Sequence, residues 1–358
     1  MKQRSLFGEK HKLNLLKYIG KTTFKNNVYK SKEKTVQNRD NVIYFLGNIG
    51  FGATTIVGIL HFIHLKDKKI IINDMYWTGK CEINKGIKCY FSDKSLLSKS
   101  INNKKKLDDK TLITYNPYNV WIEDEKIYNQ MQKINTIGYI MYKDNHVPTN
   151  KWKDQLKKFN KVFNKFWILN DNILEYIKKT CKEIKLPKKY IGIHVRMGDK
   201  IGNYDKDYRR SVREANFPLL SKIEKRIKNI LKKDKNIKTI FVATDDYKAV
   251  KMIKKIFKSI DINILTFATE KRNGYNQKNF NKKDFNNTYD DTLNFLLDLD
   301  VLMNSTYYFG TLTSNVSKLV LFSNKIPLNR FYNMENYKLK IHNPSWLNWL
   351  KRVTTNKV

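Results

Sequence analysis

The chain has 358 residues, with 70 Lys and Arg against 33 Asp and Glu, and a net charge of +37 at pH 7. Its three cysteines are too few for a disulfide framework, although Cys81 and Cys89 could pair. No apolar run reaches the roughly 18 residues of a membrane span, and the first residues lack the apolar core of a signal peptide. We therefore expect no transmembrane segment and a cytoplasmic protein, or a Golgi-associated one without its own anchor.

The positive charge favours anionic ligands but does not by itself indicate a nucleic-acid-binding protein. The excess is mostly Lys and is spread along the whole chain. Base readout favours Arg, whereas Lys is a solvated point charge. We expect no specific nucleic-acid partner, and a basic nucleotide- or RNA-binding protein stays open as a non-catalytic alternative.

The chain opens with a basic, irregular extension over residues 1–40, and an α/β pattern begins at Asn41. The run "NVIYFLG" predicts a strand, "NIGFGAT" a glycine turn, "TTIVGILHFIHL" a helix and "KKIIIN" a second strand. Residues 80–150 are less regular. Two helical segments, "WKDQLKKFNKVFNKFW" and "NDNILEYIKKTCKEIKL", follow, the second with Asn170 or Asp171 as its N-cap. We place the first domain at residues 41–186.

The second half alternates strands and helices. Strands are predicted at "YIGIHVR", "IKTIFVATDD", "INILTF" and "TYYFGTL", and helices lie between and after them. Such alternation is typical of a parallel sheet with right-handed crossovers. We expect an α/β protein of two Rossmann-like domains with parallel sheets facing a central cleft. The second domain spans 187–330, and residues 331–358 form a tail that packs on the body.

Unusual residues follow the predicted strands, where parallel sheets bind ligands. Gly50 and Gly52 could let backbone N–H groups approach phosphate, or could form only a packing turn. Arg196 could pair with phosphate, with His194 on the same side of the strand, or could join a salt-bridge cluster with Asp199 and Lys200. No metal-ligand spacing is present.

Two further strand ends carry comparable groups. Asp245 and Asp246 could bind metal or sugar hydroxyls, or one of them could cap the next helix. Thr313, Ser314 and Asn315 could cap a helix or bind phosphate or sugar. Asp298 interrupts an apolar helix stripe and needs a partner. Together the four strand ends indicate an anionic, sugar-bearing nucleotide held between two domains, which is the arrangement of a nucleotide-sugar glycosyltransferase.

The ordered segments "IGIHVRMGDK", "FVATDD" and "DLDVLMNSTYYFGTLTSNVSKLV" resemble the three motifs of the α-1,6-fucosyltransferase family, which includes core N-glycan and nodulation fucosyltransferases. The resemblance covers residues 41–323. It implies a GT-B-like fold, GDP-fucose as donor, no metal and no other cofactor. It also implies inversion at the fucose anomeric carbon and an oligosaccharide or glycoprotein acceptor on the side of the first domain.

The family's roles can be carried over residue by residue. His194 and Asp298 would contact the guanine, and Arg196 would bind and stabilise the pyrophosphate. Hydroxyls and backbone at 313–315 would complete the phosphate cradle opposite Gly50 and Gly52. Asp245 and Asp246 match the family's acidic pair, and Asp199 its first-motif carboxylate.

The catalytic base is where the sequence departs from the family. The animal enzymes carry a Glu soon after the Asp-Lys pair, but here Tyr204 occupies the nearest position. The run "EANFPLL" resembles the family's segment after an insertion, so Glu214 is the first candidate base, Asp205 the second, and Lys200 a companion amine. Met197 replaces the family's second Arg, which removes one positive group from the donor site. An α-1,6 link to GlcNAc is expected, with α-1,2 or protein O-linked transfer as alternatives.

Overall fold

The computed structural model describes residues 41–45, 50–64, 69–73, 77, 79, 86–98, 111–114, 150–197, 220–311 and 314–334. Within these ranges the chain forms two parallel sheets with helices packed against them. The α/β class and the parallel sheets expected from the sequence are confirmed. The expected extension at 1–40 and the tail beyond residue 334 lie outside the described residues.

The first sheet has three parallel strands in the order β2-β1-β3. They are β1 (Asn41–Phe45), β2 (Lys69–Asn73) and β3 (Thr111–Thr114). Helix α1 (Phe51–His64) connects β1 to β2, as the glycine turn and the apolar spacing predicted. The strand β3 lies in the segment whose sequence is irregular, since four residues are too few to show a period.

Two helices lead from the first sheet to the second. Helix α2 (Asn150–Phe166) buries side chains at helical spacing: Leu156, Phe159, Phe163 and Phe166. Helix α3 (Asp171–Glu183) is capped by Asn170, whose side chain accepts a 3.0 Å hydrogen bond from the N–H of Ile173. Of the two N-caps that the sequence left open, Asn170 is the correct one.

The second sheet has five parallel strands in the order β6-β5-β4-β7-β8. Its strands are β4 (Ile191–Val195), β5 (Thr239–Thr244), β6 (Asn263–Leu265), β7 (Tyr307–Gly310) and β8 (Phe331–Asn333). Its helices are α4 (Leu220–Lys233), α5 (Tyr247–Ile256), α6 (Gln277–Phe280), α7 (Phe285–Met303) and α8 (Asn315–Ser323). The sheet reaches past the boundary expected at residue 330, because β8 pairs with β7.

The strand order reverses between β4 and β7. The chain winds outward from β4 through β5 to β6, then returns to the other side of β4 with β7 and β8. Ligands of open parallel sheets bind at such a switch point, beyond the carboxyl ends of the strands. The residues that follow β4, β5 and β7 are therefore the candidates for ligand contacts.

The core forms two clusters, one on each face of the second sheet. One joins Ile191, Ile193 and Val195 of β4 to the buried faces of α4 and α5. The other joins the opposite face to α7 and α8 and continues into α1 and α2. The helices of the first sheet and those of the second thus share one apolar core.

Of the two cysteines in the described ranges, Cys89 is disulfide-bonded and Cys181 is a free thiol. Cys81, the pairing partner considered from the sequence, lies outside these ranges. Among the helices that the structure describes, none is long and apolar enough to cross a membrane.

Candidate active site

His194 is the penultimate residue of β4, and its side chain is buried. Burial lowers the pKa of the imidazole to about 4; Asp245 acts against this shift and Arg196 reinforces it. The ring is therefore neutral at pH 7. Its Nδ1 atom is buried and has no hydrogen-bond partner. A neutral ring with an open nitrogen can bind a ligand without bringing a charge.

Arg196 follows β4 directly and forms an ion pair with Asp245, the residue after β5. The Arg196 Nη1 atom lies 3.2 Å from Asp245 Oδ2. Asp245 Oδ1 accepts a 2.8 Å hydrogen bond from the N–H of Met197. The Arg196 guanidinium also lies over the ring of Tyr275, 5.0 Å from its centroid. These contacts fix the guanidinium at the switch point.

Asp246 has a different role from its neighbour. Its side chain accepts a 2.9 Å hydrogen bond from the N–H of Lys248 and caps helix α5. Its own N–H donates to the hydroxyl of Thr244. The capping role that the sequence left open for one of the two carboxylates thus belongs to Asp246. Asp245 is the carboxylate directed towards Arg196.

Asp298 lies on α7, where its carboxylate accepts a 2.9 Å hydrogen bond from Arg272 Nη1 at Oδ2. Burial raises the pKa of this carboxyl to about 6, against the opposing effect of Arg272. The other oxygen, Oδ1, is buried without a partner. Arg272 is therefore the partner that the sequence analysis expected for Asp298, and it hydrogen-bonds to one of the two carboxylate oxygens.

The end of β7 contributes Thr311 and the start of α8. Thr311 is 1 % exposed, and its hydroxyl has no hydrogen-bond partner. Ser314 caps α8 by accepting a 3.3 Å hydrogen bond from the N–H of Val316. Asn315 is the first residue of the helix. The N-terminal end of a helix and a buried hydroxyl without a hydrogen-bond partner are both suited to an anionic ligand.

The glycine turn of the first sheet meets this helix start. Gly50 accepts the first backbone hydrogen bond of α1, from Thr54 at 3.1 Å. A Cβ atom built on Gly52 would lie 3.2 Å from the Cβ of Asn315. The N-termini of α1 and α8 are therefore in contact, as the sequence-based cradle of Gly50 and Gly52 opposite the start of α8 requires.

Several expected site residues lie outside the described ranges: Asp199, Lys200, Asp205, Glu214 and Thr313. Their roles as base, companion amine or ligand contacts stay predictions. Within the described ranges, no group of three or more His, Cys, Asp or Glu side chains is arranged to hold a metal ion.

Sequence reasoning missed three residues of this site: Arg272, Tyr275 and Thr311. Arg272 and Tyr275 belong to an aperiodic connection between β6 and α6, so no hydrophobic pattern marks them. Thr311 lies within the predicted strand "TYYFGTL", whereas the observed β7 ends at Gly310. Its place at the switch point could have identified it.

Buried polar atoms without partners concentrate at this edge of the second sheet. Four side-chain atoms in the described ranges have this property, and three are His194 Nδ1, Asp298 Oδ1 and Thr311 Oγ1. The fourth is Trp167 Nε1. Burying such atoms costs free energy unless a ligand supplies the missing hydrogen bonds. Together with Arg196 and two helix N-termini, the edge is suited to a ligand with an anionic part and a polar, mostly neutral part.

Comparison with known proteins gives the family. The family model described as GDP-fucose protein O-fucosyltransferase matches residues 24–325. Among solved structures, POFUT1 in complex with GDP-fucose is 12% identical, with a TM-score of 0.43, over 84% of this chain and 99% of that one. NodZ α-1,6-fucosyltransferase co-crystallised with GDP is 11% identical, with a TM-score of 0.42, over 79% and 91%. No curated protein sequence matches the chain.

The family assignment rests on the family model, which spans most of the chain. It covers the glycine turn and the strands β4 to β7, although not β8, and includes every described residue of the candidate site. The chain belongs to the GDP-fucose protein O-fucosyltransferase family and is a fucosyltransferase.

Proposed function

We propose that the protein transfers fucose from GDP-fucose to an acceptor hydroxyl, with inversion at the anomeric carbon and without a metal ion. The observation that carries the proposal is Arg196, held 3.2 Å from Asp245 at the switch point of the second sheet. Family membership supports the donor. In this proposal, residues 187–330 together with β8 form the donor domain, and residues 41–186 form the acceptor side.

Arg196 and the two helix N-termini receive the pyrophosphate. When the bond between fucose C1 and the phosphate oxygen breaks, the electron pair stays on GDP as negative charge. A guanidinium and helix-terminal N–H groups stabilise that charge without a metal ion. Ser314 and Asn315 on one side and Gly50 and Gly52 on the other form the cradle, and Thr313 adds a further hydroxyl.

His194 and Asp298 receive the guanine. The neutral imidazole and the open carboxylate oxygen supply one polar contact each. Asp245 and Asp246 act from behind the site, since the first holds Arg196 and the second caps α5.

The acceptor hydroxyl forms the new bond to C1 and must lose its proton to a base. Glu214 is the proposed base and Asp205 the second candidate. Lys200 is the companion amine, and Asp199 lies beside it in sequence.

Two acceptor classes are open, and each has its own support. A serine or threonine hydroxyl of a protein is supported by the description of the family that the chain belongs to. A GlcNAc residue, fucosylated in α-1,6 linkage, is supported by the resemblance of the three ordered motifs to the α-1,6-fucosyltransferases. Both place an uncharged hydroxyl beside the fucose, so the same donor site serves either.

The test is transfer of labelled fucose by the purified full chain in the presence of a chelator. Acceptors are a panel of folded proteins and a panel of GlcNAc-terminated glycans, analysed by mass spectrometry and linkage analysis. Arg196→Lys keeps the positive charge but loses the paired N–H donors of the planar guanidinium. We expect this substitution to lower the transfer rate about 100-fold. Arg226→Lys is the matched control, because Arg226 is exposed and stacks on Tyr332.

Three results would contradict parts of the proposal. Transfer that depends on added divalent metal contradicts the metal-free mechanism. Absence of both transfer and GDP release with every acceptor contradicts the function itself. Full activity of Glu214→Gln, together with loss in Asp205→Asn, moves the base to Asp205.

A further inference from the structure

Arg272 links two parts of the candidate site that are distant in sequence. It lies between β6 and α6, and its Nη1 atom donates to Asp298 Oδ2 at 2.9 Å and to the carbonyl of Thr244 at 3.1 Å. We propose that Arg272 is a positioning residue for base recognition, which orients the Asp298 carboxylate and preserves its charge so that Oδ1 accepts hydrogen bonds from guanine. The inference rests on the proposed function, because it takes the GDP moiety as the ligand.

The Asp298 carboxylate has one occupied and one open oxygen. Its side chain is 14% exposed, and Oδ1 has no partner. Such an oxygen requires donors from a ligand to offset its burial. The Watson–Crick edge of guanine carries two adjacent N–H donors, whereas that of adenine alternates donor and acceptor. An ionised carboxylate with a fixed orientation therefore favours guanine over adenine.

The orientation of Arg272 is itself fixed by the second sheet. Its carbonyl accepts a 2.8 Å hydrogen bond from the N–H of Tyr247, the first residue of α5. Gly274, two residues on, donates its N–H to the carbonyl of Asp245 at 2.8 Å. The Thr244 carbonyl at the end of β5 accepts a hydrogen bond from the Arg272 guanidinium. Arg272 is thus tied to the strand that also positions Arg196.

The charge of Asp298 depends on this contact. Burial raises the pKa of the carboxyl, and Arg272 lowers it by both its charge and its hydrogen bond. Arg272 is the charged group that acts on Asp298, whereas Tyr190, Cys181 and Lys325 act on Asp300. On the neighbouring strand ends, His194 interacts with Asp245 and Arg196. Among the described residues, Arg272 is the charged group paired with Asp298. Without it, the carboxyl would hold a proton at a higher pH and lose its acceptor role.

The test measures the affinities for GDP and ADP between pH 5 and pH 8 in the full chain. Their ratio isolates the base, because both ligands carry the same titrating diphosphate. In the wild type we expect the preference for GDP to decline on acidification through about pH 6, the pKa of Asp298. In Arg272→Gln we expect the preference to decline at a higher pH, and GDP affinity at pH 7.5 to fall about tenfold.

Three further variants separate positioning from a general structural role. Arg272→Lys keeps the charge, so its preference for GDP over ADP should decline at a pH close to that of the wild type. Asp298→Asn should give a weak preference for GDP that does not change with pH, and adding Arg272→Gln to it should change little more. Arg226→Gln, an exposed residue outside the site, should match the wild type.

The outcomes distinguish this inference from the proposed function. A wild type that does not bind GDP overturns both. A wild type that binds GDP, with an unchanged pH midpoint in Arg272→Gln or with additive effects in the double variant, overturns the role of Arg272 alone. If Arg272→Gln does not fold, the comparison of wild type with Asp298→Asn decides: a preference for GDP equally independent of pH in both overturns the inference.

Discussion

Arg196 is held in place before any ligand arrives. The Asp245 carboxylate pairs with its guanidinium, and the Tyr275 ring supports its face at 5.0 Å. A free arginine would lose rotamer freedom on binding an anion, whereas here much of that loss has already occurred on folding. We therefore expect Asp245 to act on a ligand through Arg196, rather than through the direct contact predicted from the sequence.

Asp245→Asn tests this positioning role. The amide keeps an acceptor for the Met197 N–H but loses the charge that orients Arg196. We expect kcat to fall about tenfold or more, because a small misalignment of the stabilising group is costly. GDP affinity should fall less than kcat does, since removing a negative charge near the phosphates offsets part of the lost positioning.

The measurement is a pair of values, steady-state kcat and the GDP dissociation constant from calorimetry. Asp261→Asn, at an exposed position in the connection between α5 and β6, is the matched control and should change neither. A parallel loss of kcat and GDP affinity in Asp245→Asn would indicate a direct contact instead.

Asp298 carries a cost in stability that depends on pH. Its pKa is raised from 3.8 to about 6, so the unfolded chain releases this proton more easily than the folded protein does. The penalty is absent below the unfolded pKa, grows as the pH rises to about 6, and is constant above it. Relative to Asp298→Asn, the wild type should lose up to about 3 kcal/mol of unfolding free energy across this window.

Urea unfolding of both proteins between pH 4 and pH 7.5 measures the difference. Asp261→Asn, at an exposed position, serves again as the control substitution. A constant difference between the wild type and Asp298→Asn would show that the carboxyl titrates alike in both states.

At the scale of elements, the strand order explains why these residues meet. β4 and β7 are neighbours in the sheet but are separated along the chain by β5 and β6. Their carboxyl ends bring Arg196 and Thr311 to the same edge, and β5 adds Asp245 from the side. The start of α1 closes this edge through the contact of Gly52 with Asn315.

Thr311→Val separates a ligand contact from a structural one. The hydroxyl has no partner, so replacing it with a methyl group removes no hydrogen bond from the free protein. We expect stability to be unchanged or slightly higher, and GDP affinity to fall about threefold to tenfold. Thermal unfolding and GDP calorimetry measure the two effects.

Thr292→Val is the control for that substitution, because the Thr292 hydroxyl is buried and donates to the Thr288 carbonyl at 2.8 Å. It should lower stability by about 1 kcal/mol and leave GDP affinity unchanged. A destabilised Thr311→Val with normal GDP affinity would make Thr311 a structural residue.

Gly52 tests the contact between the two helix starts. A methyl group there lies 3.2 Å from Asn315 Cβ, so the helices must separate by a few tenths of an ångström. Alanine also improves helix propensity by up to about 1 kcal/mol, which offsets the crowding. We expect Gly52→Ala to change Tm little but lower the transfer rate, and Gly52→Val to lower it further. Equal activity across this series would show that the helix starts take no part in transfer.

The sequence predicted those elements whose apolar runs are long or end in unusual polar residues. The four strands from β4 to β7 and the helices α4, α5 and α7 follow this rule, whereas the four-residue helix α6 is too short to show a period. The ligand-binding roles of His194, Arg196 and the acidic pair after β5 stay predictions. The three-residue strand β8 has no period to recognise. Arg272 and Asp298 are 26 positions apart, and their pairing follows from the crossing of a loop over a helix, which no local pattern encodes.

At the scale of the molecule, the helices of the two sheets share a core. Phe159 of α2 stacks on Phe322 of α8, with centroids 4.5 Å apart. Asn160 donates to the carbonyls of Phe322 and Ser323 at the end of α8. The ring of Phe51, next to the glycine turn, packs against the ring of Phe295 of α7, with centroids 5.7 Å apart. The same packing that stabilises the chain therefore sets the distance between the glycine turn and α8.

Because of this shared core, we expect the two sheets to unfold together. Phe322 is 2% exposed, and Phe322→Ala should lower the free energy of unfolding by about 3–5 kcal/mol. Phe285→Ala, at a side chain that is 44% exposed, is the matched control and should cost less than about 0.5 kcal/mol. Calorimetry of the wild type should show one transition, which moves to lower temperature in Phe322→Ala without splitting, and GDP binding should be lost in the same transition. Two separate transitions, with GDP binding retained after the first, would mean that the second sheet folds and binds its ligand independently of α1 and α2.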